Sequence, residues 1–296
     1  MKAINNKSIK KFLTVCAFIL PNFIGLFIFT LLPILFAFVL SVMEWDSANP
    51  MTFVGIDNFL RLFKDKTFQI AFMNTIYYVI GTVPITLMAS LGLAMVLNSK
   101  IKGRNIFRTV FFFPYVASLI AVVVVWNMLF HPDMGPINSM LSFLGVKNLP
   151  KWAASVKWAM PTVILFSVWK YMGYYMVMYL AALQGVPKEL YEAGDIDGTT
   201  KWQRFRYITL PTLTPTTFFV VIMLTIQAFK VFDIIYAMTD GGPGRSTTVL
   251  VSYIYAKAFT EFEFGYASAM SIILFAIVLV ITIIQFRTEK KWVSYM

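Results

Sequence analysis

Glu189-Leu190-Tyr191-Glu192-Ala193-Gly194-Asp195-Ile196-Asp197-Gly198-Thr199-Thr200-Lys201-Trp202-Gln203-Arg204-Phe205-Arg206-Tyr207-Ile208-Thr209-Leu210-Pro211 is the most polar segment of a very apolar chain. Long apolar runs flank it on both sides. Runs of that length cross a bilayer, so the polar stretch stands in water between two membrane spans. A polar loop this long and this patterned has a partner to touch.

The rest of the composition agrees. Of 296 residues, 59% are hydrophobic and 13% are charged, against about 25% charged in an average soluble domain. The chain is therefore expected to be an all-α integral membrane protein with six transmembrane helices. Nearly charge-free apolar runs place the spans near 12–40, 70–97, 108–130, 158–183, 212–236 and 264–286. Residues 12–43 carry no charge, a run about twice as long as the 7–15 apolar residues of a signal core; it reads as a retained first span. Prolines 21, 33, 84, 114 and 215 fall in these runs, where bends are tolerated if neighbours satisfy the freed carbonyls.

Lys and Arg set the orientation. With the N-terminus inside, fifteen of the 25 basic residues fall on inner segments, from Lys2 and Lys100 to Lys291, and eight on outer loops. That excess puts both termini in the cytoplasm. It also puts the Glu192 loop there. The formal net charge of +11 is then the basic bias of cytoplasmic loops and not a nucleic-acid surface. The resulting plan is a cytoplasmic N-terminus 1–11, a first transmembrane helix 12–40, an extracytoplasmic loop 41–69, a core 70–287 with its cytoplasmic loop at 187–210, and a cytoplasmic C-terminus 288–296. Residues 41–69 read as a piece able to lie on the membrane surface.

Within the polar loop, Pro187 suits a first helical turn. Asp197-Gly198 is a turn dipeptide, and Thr199 or Thr200 can cap a second short helix. Trp202, Phe205 and Ile208 recur at three-residue spacing and predict one apolar face on that helix. Ala193 and Gly194 are small enough for close backbone approach.

These residues resemble the cytoplasmic coupling loop of permease subunits from bacterial binding-protein-dependent ABC importers. The pattern is Glu-Ala-Ala, a Gly six residues after the Glu, nine residues, then Ile, any residue, Leu-Pro. Glu192, Ala193, Gly198, Ile208, Leu210 and Pro211 fit it, and Gly194 departs from it. Further resemblances run along the chain in order: Trp126 with Gly135-Pro136-Ile137-Asn138; Ala181-Ala182-Leu183-Gln184; Phe232-Asp233 with Thr239-Asp240-Gly241-Gly242-Pro243-Gly244; and Phe264-Gly265-Tyr266-Ala267. They are similar to the maltose/glycerol-phosphate permease branch.

The resemblance implies a type I ABC importer permease fold in the bacterial inner membrane, working by alternating access. It implies a second homologous permease, two ATP-binding subunits and an extracytoplasmic solute-binding protein as partners, besides the bilayer. It implies a sugar, oligosaccharide or related polyol phosphate as cargo. Glu192, Ala193, Gly194, Asp195, Gly198 and Phe205 would form the ATPase-coupling surface. ATP and Mg would be bound by the partners, with no cofactor in this chain.

Charge inside hydrocarbon is costly and marks functional sites. Lys170 lies about 12 residues, or about 18 Å, into the fourth span, with Trp169 beside it and Tyr174 four residues on. Gln227, Lys230 and Asp233 form an i, i+3, i+6 row at the outer end of the fifth. These six are candidates for the substrate path. Sugars present hydroxyls and flat C–H faces, so polar groups beside aromatic rings suit them. The sequence has no Gly-x-x-x-x-Gly-Lys-Ser/Thr, His-Glu-x-x-His, Gly-x-Ser-x-Gly or Cys-x-x-Cys motif, so no catalytic residue or metal ligand is expected. With Cys16 alone there is no intrachain disulfide, and the lone His131 suits a surface position. The rival class is an ion-coupled secondary transporter. It needs acidic groups in the membrane, and Asp233 is the one candidate.

Overall fold

The computed structural model describes residues 6–99 and 101–294. Lys2 and Lys100, two of the inner basic residues, lie outside the described residues. In chain order the helices are α1 (Asn6–Leu26), α2 (Leu32–Ser41), α3 (Asp57–Lys64), α4 (Lys66–Asn98), α5 (Arg104–Val116), α6 (Leu119–Leu129), α7 (Pro136–Phe143), α8 (Ala159–Gln184), α9 (Lys188–Ile196), α10 (Lys201–Arg204), α11 (Leu210–Thr212), α12 (Thr214–Phe229), α13 (Asp233–Met238), α14 (Leu250–Tyr255) and α15 (Phe264–Glu289). Short π turns join α1 to α2 and α10 to α11. Four helices are long and apolar enough to span a membrane, and two bent pairs bring the number to six if each pair is one span.

The bends correct the straight spans read from the sequence. The third span is two helices, α5 and α6, meeting at 102°. Pro114 sits in the last turn of α5, and Ala117 and Ser118 have extended backbones at the break. The fifth span also ends early. The α12 helix stops at Phe229, Phe232 leaves helical geometry, and Asp233 starts a new helix. Gln227, Lys230 and Asp233 are therefore not a row on one helix.

Two compact units divide the chain. One comprises residues 1–64 with 254–273, the other 65–253 with 274–296. In the first, the candidate span Thr14–Ser41 is almost entirely exposed. A two-stranded antiparallel hairpin, β1 (Met43–Glu44) with β2 (Thr52–Phe53), follows α2. The backbone N–H of Phe264 donates to Trp45 O at 3.0 Å, and the two rings lie 5.2 Å apart.

The second unit is built on α4 and α8, its most extensive helix pair. Asp65 caps α4 by accepting from the N–H groups of Thr67 and Phe68, as an N-terminal carboxylate should. Tyr78 of α4 donates to Ser167 of α8 at 2.8 Å. Such side-chain bonds between spans are formed where no water competes. The core is Tyr78, Phe166, Tyr175, Met176, Tyr179 and Leu224, all nearly fully buried. The α5 helix crosses α8 at Gly173, where an added Cβ would come within 1.8 Å of Phe111 O. Backbone contact that close requires glycine. Outside, Asn138 ties down the loop after α6: it donates to Pro132 O and Pro150 O and accepts from Trp152 Nε1.

Candidate functional site: an aromatic cavity and a cytoplasmic loop

A cavity of about 370 Å³ opens in the second unit between α4, α5, α8 and α12. Its lining includes Tyr78, Thr82, Tyr115, Tyr171, Tyr174, Tyr175, Gln227, Lys230 and Asp233. The break after α12 lets Lys230 and Asp233 reach the same space as Gln227 although they share no helix. Tyr175 donates its hydroxyl to Gln227 Oε1 at 3.0 Å, which fixes the amide. Tyr115 and Tyr174 stack with ring centroids 4.5 Å apart. The site thus combines ring faces, phenols, an amide, one carboxylate and one ammonium. It suits a polyhydroxylated solute, whose hydroxyls pair with the polar groups and whose C–H faces meet the rings.

Four of the six path candidates, Tyr174, Gln227, Lys230 and Asp233, line this cavity. Trp169 and Lys170 do not. Trp169 packs on Trp126, with centroids 5.0 Å apart. Lys170 is buried, and its Nζ donates to Pro114 O at 3.0 Å and Ala117 O at 3.4 Å. Those carbonyls belong to the last turn of α5 and to the break after it, so the charge deep in the fourth span answers the broken third one. Sequence reasoning missed Tyr78, Thr82 and Tyr115. Nothing in their local pattern marks them, because α4 and α5 meet α8 only through the fold. Among the described residues no group of three His, Cys, Asp or Glu is placed to hold a metal.

The cytoplasmic loop is compact. Helix α9 ends at Ile196 with Asp197 as its C-cap, and Gly198 turns the chain with φ of 68°. Thr199 N and Oγ1 both donate to Gly194 O, at 2.9 and 2.7 Å. Thr200, not Thr199, caps α10, in a capping box with Gln203. Arg204 folds back to Asp195 at 2.6 Å and to Thr199 O at 3.3 Å. Tyr191 and Thr209 hydroxyls lie 3.0 Å apart. Together these close α9 onto the segment C-terminal to it.

Gly194 is buried at that closure. A Cβ there would lie 2.9 Å from Thr199 Oγ1 and 3.1 Å from Ile208 Cδ1, so the small residue seats Ile208. The predicted apolar face is divided. Phe205 and Ile208 are half-buried. Trp202 turns outward at 69% exposure, with Ile196 at 87% and Tyr207 at 74%. The π turn over Phe205–Thr209 shifts the register that a regular helix would have kept. Glu192 and Ala193 are exposed on the same loop. The result is a compact knob with large apolar side chains and an acidic residue exposed on its surface.

A long apolar helical bundle with a polar cavity and a compact polar loop is the architecture of a transport permease. Residues 83–294 match the family described as binding-protein-dependent transport system inner membrane component, and the chain belongs to that family. It is 38% identical to the probable ABC transporter permease protein YesP of Bacillus subtilis, over 94% of this chain and 91% of that protein. It is 35% identical to the lactose transport system permease protein LacF of Rhizobium radiobacter, over 98% of this chain and 99% of that protein. In structure it matches a chain of a bacterial ABC transporter involved in the import of the acidic polysaccharide alginate, with a TM-score of 0.84 and 26% identity over 96% of this chain and 98% of that one.

Proposed function

We propose that this chain forms half of the alternating-access pathway of an ATP-driven importer for a sugar, an oligosaccharide or a related polyol phosphate. The cavity bounded by Tyr115, Tyr174, Tyr175, Gln227, Lys230 and Asp233 is the substrate path. The loop 187–210 docks on an ATP-binding subunit through Glu192, Ala193, Asp195 and Phe205, with Gly194 and Gly198 setting its shape. The observation that carries the coupling role is the closed geometry of that loop around Gly194. A knob held by its own hydrogen bonds transmits a push as a unit, where a slack loop would absorb it. The sugar class rests on the aromatic and polar lining and on relatives that carry lactose and alginate in their names.

ATP and its Mg would be bound and hydrolysed by two partner subunits. A second permease would complete the path, and an extracytoplasmic binding protein would deliver cargo. Closure of the ATPases biases the outward and inward states through their differential affinity for the loop.

The test is uptake by the complete complex with Glu192→Lys. Labelled lactose, an alginate oligosaccharide and glycerol 3-phosphate serve as cargo, and ATPase co-purification is followed alongside. Loss of ATPase association or uptake, with the permease still in the membrane, supports the reading. Uptake at the wild-type rate that ignores ATP overturns it in favour of ion coupling at Asp233.

A further inference from the structure

Tyr78 and Thr82 stand one turn apart on α4, and both line the aromatic cavity. They are buried, at 1% and 2% exposure. The proton on Tyr78 is already committed. Ser167 Oγ donates to Val163 O at 2.8 Å, and a serine hydroxyl has one proton to give. The 2.8 Å bond between Tyr78 and Ser167 is therefore donated by the phenol. Tyr78 Oη keeps a lone pair, so it can accept a further bond and cannot donate one.

Thr82 is the opposite case. Three other buried threonines on the spans donate to the carbonyl four residues back: Thr75 to Ala71 O at 2.7 Å, Thr162 to Trp158 O at 2.8 Å and Thr225 to Val221 O at 2.7 Å. That is the ordinary outlet for a hydroxyl on a helix. Thr82 forgoes it. Its hydroxyl lies beside that of Tyr78, yet among the described residues Thr82 Oγ1 makes no hydrogen bond of normal geometry. A buried hydroxyl left in that state is destabilising, and the open space next to it is the cavity.

We propose, on the reading of this cavity as the solute path, that one hydroxyl of the transported solute seats between the two residues, accepting from Thr82 Oγ1 and donating to Tyr78 Oη. The donors then run in one direction from Thr82 through the solute, Tyr78 and Ser167 to Val163 O, each bond polarising the next. A sugar hydroxyl is donor and acceptor at once and completes the chain. An ether oxygen or an ionised phosphate oxygen can accept from Thr82 but has nothing to give Tyr78, and a methylene answers neither. The pair thus selects for a free hydroxyl at one position of the cargo.

The experiment measures ATP-dependent uptake by the complete complex in proteoliposomes, with labelled lactose, an alginate oligosaccharide and glycerol 3-phosphate as probes, and the thermal midpoint of each variant. Thr82→Val keeps the shape and removes the hydroxyl. It is expected to raise the transport KM about two- to tenfold, with a midpoint unchanged or higher, because no bond within the protein is lost. Thr82→Ser should restore KM. Tyr78→Phe should raise KM by a similar factor, and the double variant by no more than the larger single effect, since both residues act on one solute hydroxyl. Thr86→Val is the comparison. Thr86 Oγ1 is also buried without a partner among the described residues, but Thr86 is outside the cavity lining, so KM should stay as it is. An unmoved KM in Thr82→Val, an equal rise in Thr86→Val, or single effects that multiply in the double variant would each overturn the proposal. A lower midpoint in Thr82→Val would mean that the hydroxyl serves the fold, and would overturn it as well. Should the unmodified complex take up none of the three probes, the solute path itself falls and the proposal falls with it.

Discussion

Lys170 Nζ donates to the carbonyl of Pro114 at 3.0 Å. A charged residue deep in one span thus answers backbone carbonyls at the break in a neighbouring one. Removing it leaves two backbone carbonyls in the membrane with one donor fewer. Each unsatisfied buried group costs about 1–3 kcal/mol. Lys170→Met is expected to lower the thermal midpoint of the purified complex, while affinity for cargo stays within error. A selective loss of cargo affinity with no change in midpoint would return Lys170 to the path.

Gly173→Ala sets a methyl against a carbonyl that cannot move aside, at 1.8 Å from Phe111 O. Overpacking of this kind costs about 1–3 kcal/mol, occasionally more. The expected outcome is a marked fall in the amount of permease recovered from membranes and in its melting temperature. Gly92, with nothing within 4 Å of an added Cβ, should accept Ala with no such fall.

Gly194 separates packing from docking. An alanine there meets Thr199 Oγ1, Ile208 Cδ1 and Arg204 Cγ, all side-chain atoms and none of them backbone, which can give by a few tenths of an ångström. Gly194→Ala is therefore expected to keep ATPase association and uptake. Gly194→Val, branched at Cβ, is expected to unseat Ile208 and weaken co-purification of the ATPase. The Arg204–Asp195 pair is more than half exposed on the Asp side. Pairs of that exposure contribute about 0–1 kcal/mol, so Asp195→Ala should have the milder effect on uptake.

Tyr175→Phe removes the hydroxyl that orients Gln227, a bond worth about 0.5–1.5 kcal/mol. If the cavity carries cargo, the transport KM should rise by up to about tenfold with ATPase association intact. Tyr179→Phe, whose partner is Thr217 and which is outside the cavity lining, should leave KM unchanged.

The outer end of the first unit should loosen in acid. Burial pushes the Glu263 carboxyl up, but Arg61 and Lys257 outweigh it and hold the carboxyl below its usual range. A lowered value stabilises above the unfolded pKa, and that stability is lost as pH falls through the lowered one. Burial likewise works against the Lys257 ammonium, and Glu261 and Glu263 outweigh it and raise its pKa. Its contribution is present below the ordinary lysine value and is lost as pH rises through the raised one. The network should therefore hold across neutral pH. Amide protection near Phe264, corrected for intrinsic exchange, is expected to fall below the usual glutamate range. Glu263→Gln should abolish that acid step.

Much of the site was legible in linear sequence where its residues are neighbours. The polar loop 187–210 is local: Glu192, Gly194, Gly198 and Thr200 lie within one polar stretch, and the turn and the cap follow from residue type. The cavity is not local. Tyr78, Tyr115 and Asp233 come from three elements, and no pattern in any one of them announces the meeting. Lys170 shows the same limit from the other side, since its partners are 56 and 53 residues away.

By itself the sequence determined the membrane class, the run of apolar spans and the turn and cap of the polar loop, because hydrophobic length and turn chemistry act over a few residues. Only tertiary structure decided where the third and fifth spans break, which polar side chains face a shared space and which merely satisfy a backbone. Those outcomes depend on helix-to-helix packing, and a backbone carbonyl freed in one span is answered by whichever donor the fold brings within about 3 Å.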